Sequence, residues 1–207
     1  MVLSHNWVAR LRRFINRQSA EHCDLCHAEI APRHAHMIEL KTRRFFCACR
    51  QCVLTLGTSE RFHVIESRVD VLDGFKLTDA EWEMLQVPID MVFVFQSTFE
   101  KRPIAIYPSP AGATESRLNP EIWSRLLSAN PSLANLQPDT EALLVNRTNG
   151  AREYYRVSID RCYSLIGLIR TRWHGLSGGS EAWDAIAGFF ARLREAALLP
   201  AEDMLHD

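Results

Sequence analysis

Residues 23–52 read CDLCHAEIAPRHAHMIELKTRRFFCACRQC and carry five of the six cysteines of the chain, as Cys23-x2-Cys26 and Cys47-x-Cys49-x2-Cys52. Two Cys-x2-Cys pairs about twenty residues apart have the spacing of a tetrahedral thiolate metal site: each pair aims two sulfurs at one ion, and folding brings the pairs together. The sixth cysteine, Cys162, lies more than a hundred residues away. This crowding suits metal ligation in a reducing cytoplasm better than a disulfide framework.

Four thiolates can be chosen in two ways. Cys23, Cys26, Cys49 and Cys52 give two matched two-residue turns with 22 residues between them. Cys23, Cys26 and Cys47 with either Cys49 or Cys52 shorten the gap to 20 residues and lose one matched turn. Matched turns favour the first set. Cys47 is then an alternative ligand, a neighbour of the ligands, or a buried thiol in the ribbon core. Four thiolates suit zinc in a closed site that stabilises structure and leaves no position open for catalysis. The alternative is iron, rubredoxin-like or as an iron–sulfur cluster, which also uses four cysteines. A four-thiolate zinc centre is formally −2, and Lys41, Arg43, Arg44 and Arg50 are placed in sequence to offset that charge. Neither Cys26 nor Cys52 is followed by glycine; His27 and Val53 stand there, a departure from the usual relaxed knuckle.

Working outward, residues 37–40 and 44–48 read as short strands, because Phe45, Cys47 and Cys49 alternate to one face. If the first strand starts earlier, His34 and His36 share a face, where they are candidate ligands or ordinary polar loop residues. Residues 64–73 alternate enough for a further strand or an extended connector. Residues 6–18 form an amphipathic pattern, with Trp7, Leu11, Phe14 and Ile15 at helical spacing among arginines. With no Gly/Ser-rich linker after the metal module, close packing on the body is expected.

In the body, Thr78 with Glu81 predicts a capped helix ending near Val87-Pro88. MVFVF (91–95) and PIAIY (103–107) predict a hairpin, and residues 107–113 a turn-rich loop. Asn119-Pro120 predicts a helix start, the helix running to about Ala129. A second hairpin is centred on Asn149-Gly150. Helices follow over about 159–173 and 180–197, the last capped by Ser180. This order argues an α+β fold with a small antiparallel sheet and C-terminal helices. The expected organisation is an N-terminal amphipathic helix over 1–20, a zinc-ribbon-like metal-binding module over 21–74, an α+β domain over 75–200 and a tail over 201–207.

Composition narrows the function. The 207 residues are 47% hydrophobic and 24% charged, as in a globular protein. Net charge is +5 over residues 1–52 and −6 over the remainder, so no global basic excess points to nucleic acid. The amino terminus lacks the apolar core of a secretory signal, and no apolar run is long enough to span a membrane; a cytoplasmic protein is expected. The SGGS turn at 177–180 lacks the nucleotide-binding glycine patterns. Cys162, near a helix start, reads as a small core residue or as a thiol of lowered pKa. Nothing resembles a nucleophile elbow or a metalloprotease helix, so no enzymatic activity is expected.

CDLC (23–26), FCACRQC (46–52), FKLTDAEW (75–82), YPSPAGATES (107–116), EYY (153–155) and GLSGGS (175–180) together resemble an uncharacterised bacterial protein family often encoded beside high-affinity nickel–iron hydrogenases. The resemblance spans roughly residues 20–197. It implies a hydrogenase-associated role in assembly, maturation or electron-transfer support, with a hydrogenase subunit or maturation factor as protein partner, and it supplies no residue-level mechanism. The leading expectation is a zinc-binding accessory protein acting through protein–protein interaction. An iron-containing electron-transfer protein is the alternative. A zinc-ribbon nucleic-acid binder is a further one, without a recognition helix or aromatic–basic interleaving to support it.

Overall fold

The computed structural model describes residues 21–57, 59–116, 118–175 and 178–198. The amphipathic segment at 6–18 and the tail at 201–207 lie outside them. The described chain is α+β, with three antiparallel sheets and five α-helices among the described residues.

The largest sheet follows from MVFVF. Strand β7 (Met91–Ser97) is buried on both faces, which is why its apolar run is continuous rather than alternating. It lies inside a six-stranded sheet of order β6-β11-β10-β7-β8-β9, formed with β6 (Val69–Val71), β8 (Arg102–Ser109), β9 (Gly112–Ser116), β10 (Glu141–Asn146) and β11 (Glu153–Ser158). Phe93, Phe95, Leu144 and Tyr155 face the C-terminal helices α4 (Ile159–Arg172) and α5 (Gly179–Ala197). Val92, Val94, Leu143 and Val145 face Ile122, Trp123 and Leu126 of α3 (Pro120–Ala129) and Leu85, which ends α2 (Asp79–Met84). Helices on both faces therefore give this antiparallel sheet two apolar layers, each large side chain adding about 1.5–3 kcal/mol on full burial.

Local signals place the helices. Thr78 caps α2 with a reciprocal capping box: its hydroxyl accepts from Glu81 N–H, and the Glu81 carboxylate accepts from Thr78 N–H at 2.9 Å. Thr78→Ala is expected to cost about 1 kcal/mol, measured by denaturant unfolding. The helix stops at Leu85, two residues short of the expected Val87-Pro88 boundary. Asn119 caps α3 with Pro120 in its first turn, as the sequence predicts. At α5 the cap is not Ser180 but Gly178, with φ 86° and no side-chain cap. A Cβ there would meet the Trp173 ring at 2.9 Å, so both conformation and space require glycine.

The segment read as a turn-rich loop at 107–113 is a tight hairpin: β8 continues through Ser109, and β9 begins at Gly112. Prolines are tolerated because β7 pairs only Arg102–Ile106 and β9 only Ala105–Ser109 of β8. Pro103 and Pro108 therefore each have a strand on one side only, where no central ladder bond is lost.

The cysteine-rich region forms the second sheet, of order β4-β3-β5, from β3 (Ala35–Glu39), β4 (Arg44–Ala48) and β5 (Phe62–Ile65). Segment 64–73 divides between the two sheets, its start completing β5 and its middle forming edge strand β6. One face of the small sheet carries Met37, Ala48 and Phe62; the other sends Ile38, Ile65 and Phe45 into the main core. Arg43 adds a latch, pairing with Glu100 and, at 3.4 Å, with Glu115 of the large sheet. Burial raises the Glu115 pKa, but Arg102 and Arg43 more than offset it and hold the carboxylate below its usual value. A depressed folded pKa contributes stability above the unfolded carboxylate range, lost as pH falls through the folded value. Glu115→Gln is expected to flatten that acid limb in melting temperature against pH.

Candidate metal centre

The first cysteine pair sits in a turn between β1 (Glu21–His22) and β2 (Glu29–Ile30). Cys23 N–H donates to Ala28 O at 2.8 Å, and His27 N–H to Cys23 O at 2.9 Å. Closing this knuckle puts His27 at φ 62°, the left-handed conformation that glycine adopts freely. His27→Gly is expected to relieve about 1 kcal/mol of backbone strain, visible as a raised melting temperature.

The second pair is not a matching knuckle. Strand β4 ends at Ala48, Cys49 is the N-cap of α1 (Arg50–Leu56), and Cys52 lies in the first turn, its N–H 3.5 Å from Cys49 Sγ. Val53 is therefore helical, which is why no glycine follows Cys52. A knuckle and a helix start converge, and Cys23, Cys26, Cys49 and Cys52 bring their sulfurs within 4.8 Å of one another. Cys26 Sγ and Cys49 Sγ are 3.6 Å apart, against an edge of about 3.8 Å for a tetrahedron with 2.3 Å zinc–sulfur bonds. That separation is far beyond a disulfide, and all six cysteines are free. The group can hold a metal ion.

Its electrostatics divide the thiols. Burial opposes ionisation of Cys23, but N–H groups of Cys49, Leu25 and Cys26 outweigh it and bring the pKa down to about 6. The Cys52 N–H lowers Cys49. Burial, with the neighbouring thiols, pushes Cys52 up to about 12. Four sulfurs this close do not all ionise without a cation among them. Two of the cations named as charge partners are engaged elsewhere: Arg43 pairs with Glu100 and Glu115, and the Arg44 guanidinium lies 5.0 Å from the Phe46 ring centre.

Cys47 does not join the four. It stands with His34 and His36 on the sheet face turned toward α4, and one ring nitrogen of each histidine and Cys47 Sγ lie within 4.8 Å of one another. Register explains this, because His36 is paired directly across from Cys47. The shared face of His34 and His36 was visible in the sequence. Their meeting with Asp160, 124 residues from His36 and hydrogen-bonded to it at 2.9 Å, was not. Cys162 is a fully buried core residue whose pKa burial raises well above the usual value, so it is no activated thiol.

The fold and this site define a small α+β protein with a cysteine cluster suited to a metal ion. Over residues 22–197 the chain matches a family described as of unknown function (DUF5947), and it belongs to that family. No curated protein and no solved structure matches it.

Proposed function

We propose that this protein is a zinc-binding accessory factor acting by protein–protein contact in the assembly, maturation or support of a nickel–iron hydrogenase. The observation that carries the zinc reading is the convergence of four sulfurs, and only four, in one group. Cys47 faces away into another cluster, so no fifth thiolate joins the group. A closed four-thiolate site offers zinc a structural place and no open coordination position. Docking to a partner is supported by α1, which packs Cys52, Val53 and Leu56 only partly buried against the small sheet and leaves Leu54 67% exposed beside the site. The hydrogenase association rests on the sequence resemblance alone.

Protein purified without added metal is expected to be colourless, with zinc in elemental analysis and no iron. Visible thiolate–iron absorption would overturn the zinc assignment. Affinity capture from cells grown on hydrogen is expected to recover a hydrogenase subunit or maturation factor, identified by mass spectrometry. Its absence from the captured set would remove the hydrogenase role and leave the metal assignment standing.

A further inference from the structure

The geometry points to a second metal site, separate from the four-cysteine cluster, in which His34, His36 and Cys47 bind a zinc(II) ion and leave a fourth position for an exogenous ligand such as water. His34 supplies the decisive observation. Only 9% of its side chain is exposed, its Nδ1 lies 2.9 Å from Ala31 O and 3.1 Å from Glu21 Oε2, and its Nε2 is buried with no hydrogen-bond partner. A buried ring nitrogen with nothing to bond is costly, and it stands in a cluster whose other members are an imidazole and a thiol.

The surroundings are built as a metal site is built. His36 Nδ1 is hydrogen-bonded to Asp160 Oδ2 at 2.9 Å. A carboxylate on one ring nitrogen fixes the proton there, orients the ring and leaves Nε2 as a lone-pair donor. Asp160 is fixed in turn, accepting from Arg161 N–H at 2.9 Å. In His34 the anchored nitrogen is again Nδ1, so both rings offer Nε2. The rings stand 5.0 Å apart at 75°, edge to face rather than stacked. Cys47 is held at its backbone: its N–H donates to Asp24 Oδ2 at 2.7 Å, and its carbonyl accepts from Asp24 N–H at 2.9 Å. Asp24 lies between Cys23 and Cys26, so folding of the first cluster positions the thiol of the second.

Two imidazoles and a thiolate are borderline-to-soft donors, suited to zinc. Three protein ligands leave one tetrahedral position open, unlike the closed four-thiolate site. His36 keeps 39% of its side chain exposed, so the site reaches solvent and a small ligand can enter.

The test is zinc stoichiometry on the full chain, by equilibrium dialysis against zinc(II) with elemental analysis. Two equivalents per chain are expected. Cys47→Ser and His34→Gln should each lose one equivalent and keep the other, while circular dichroism stays that of the parent protein. Asp160→Asn keeps all three ligands and loosens one, so the second zinc should bind about 10–100-fold more weakly with the first unchanged. Cobalt(II) gives an independent readout: Cys47→Ser should remove a weaker thiolate charge-transfer band and spare the strong one of the four-cysteine site. A single equivalent in the parent protein would mean that His34 Nε2 meets only water, and would overturn the site. So would a second equivalent that persists in both Cys47→Ser and His34→Gln.

Discussion

Cys23→Ser is expected to abolish tight metal binding at the four-cysteine cluster and to open the small β-sheet while the six-stranded sheet stays folded. Cys23 is fully buried and sits where the N–H groups of Cys49, Leu25 and Cys26 point at its sulfur. Serine places a hydroxyl there that does not ionise, leaving three thiolates. Structural zinc contributes about 10–16 kcal/mol in small metal-folded units. An even share per ligand is about 3 kcal/mol, and zinc affinity should fall by roughly 100-fold or more. The cluster-facing side of the small sheet has only a small core, buried Met37, Ala48 and Phe62 with partly buried Leu25, Phe46, Val53, Leu56 and Val64 packed against it. The large sheet has two apolar layers of its own. Limited proteolysis of Cys23→Ser should therefore cut within residues 23–65 and spare 75–197. A variant with parental zinc affinity and protease resistance would refute the four-cysteine cluster as the stabilising element. A chelator should reproduce the same pattern on the parent protein. Cys47→Ser, which leaves the four sulfurs intact, should not.

Glu141→Ala is expected to destabilise the large sheet by about 3–5 kcal/mol, read as a lowered denaturant midpoint. Glu141 and Arg156 are diagonal neighbours on strands β10 and β11, Arg156 pairing across from Leu143 and Glu141 from Ser158, with side chains 7% and 9% exposed. Arg156 Nε donates to the Glu141 carboxylate at 2.7 Å, and its Nη2 also donates to Asn135 O. The same carboxylate accepts from Gln137 N–H at 2.8 Å. Alanine would leave a buried guanidinium without its anion and a backbone N–H without its acceptor. Glu141→Ala paired with Arg156→Met should recover part of the loss, because removing both charges avoids the unpaired one. If Glu141→Ala melts like the parent protein, water reaches this pair and the burial argument fails.

Elements announced by their own few residues were legible in the chain. The capping box at Thr78, the Asn119-Pro120 start and the hairpin around Asn149-Gly150 are local, and the structure has all three. Asn149 and Gly150 take φ of 55° and 77°, conformations that this pair adopts readily. Reading failed where a local rule met a non-local condition. YPSPAGA looked like a loop because prolines break strands. It forms a hairpin because Pro108 lies where only β9 runs alongside and Pro110 sits in the turn between β8 and β9. Ser180 looked like a cap because serine caps helices, yet Gly178 starts α5 in space that the Trp173 ring leaves open only to glycine.

The cysteine spacing by itself marked two pairs for one site, because sulfurs with two residues between them point together in a tight turn or in the first turn of a helix. The order of capped-helix and hairpin signals along residues 78–197 likewise determined that α-helices and antiparallel strands would share the chain. Only the tertiary structure decided which sulfurs form the cluster and what becomes of the fifth. That choice depends on the end of β4 at Ala48, the start of α1 at Cys49 and the pairing of His36 opposite Cys47. It depends also on α4, which brings Asp160 against the same sheet face. Spacing acts over a few residues, whereas register and the packing of sheet faces are set by contacts between segments far apart in the chain.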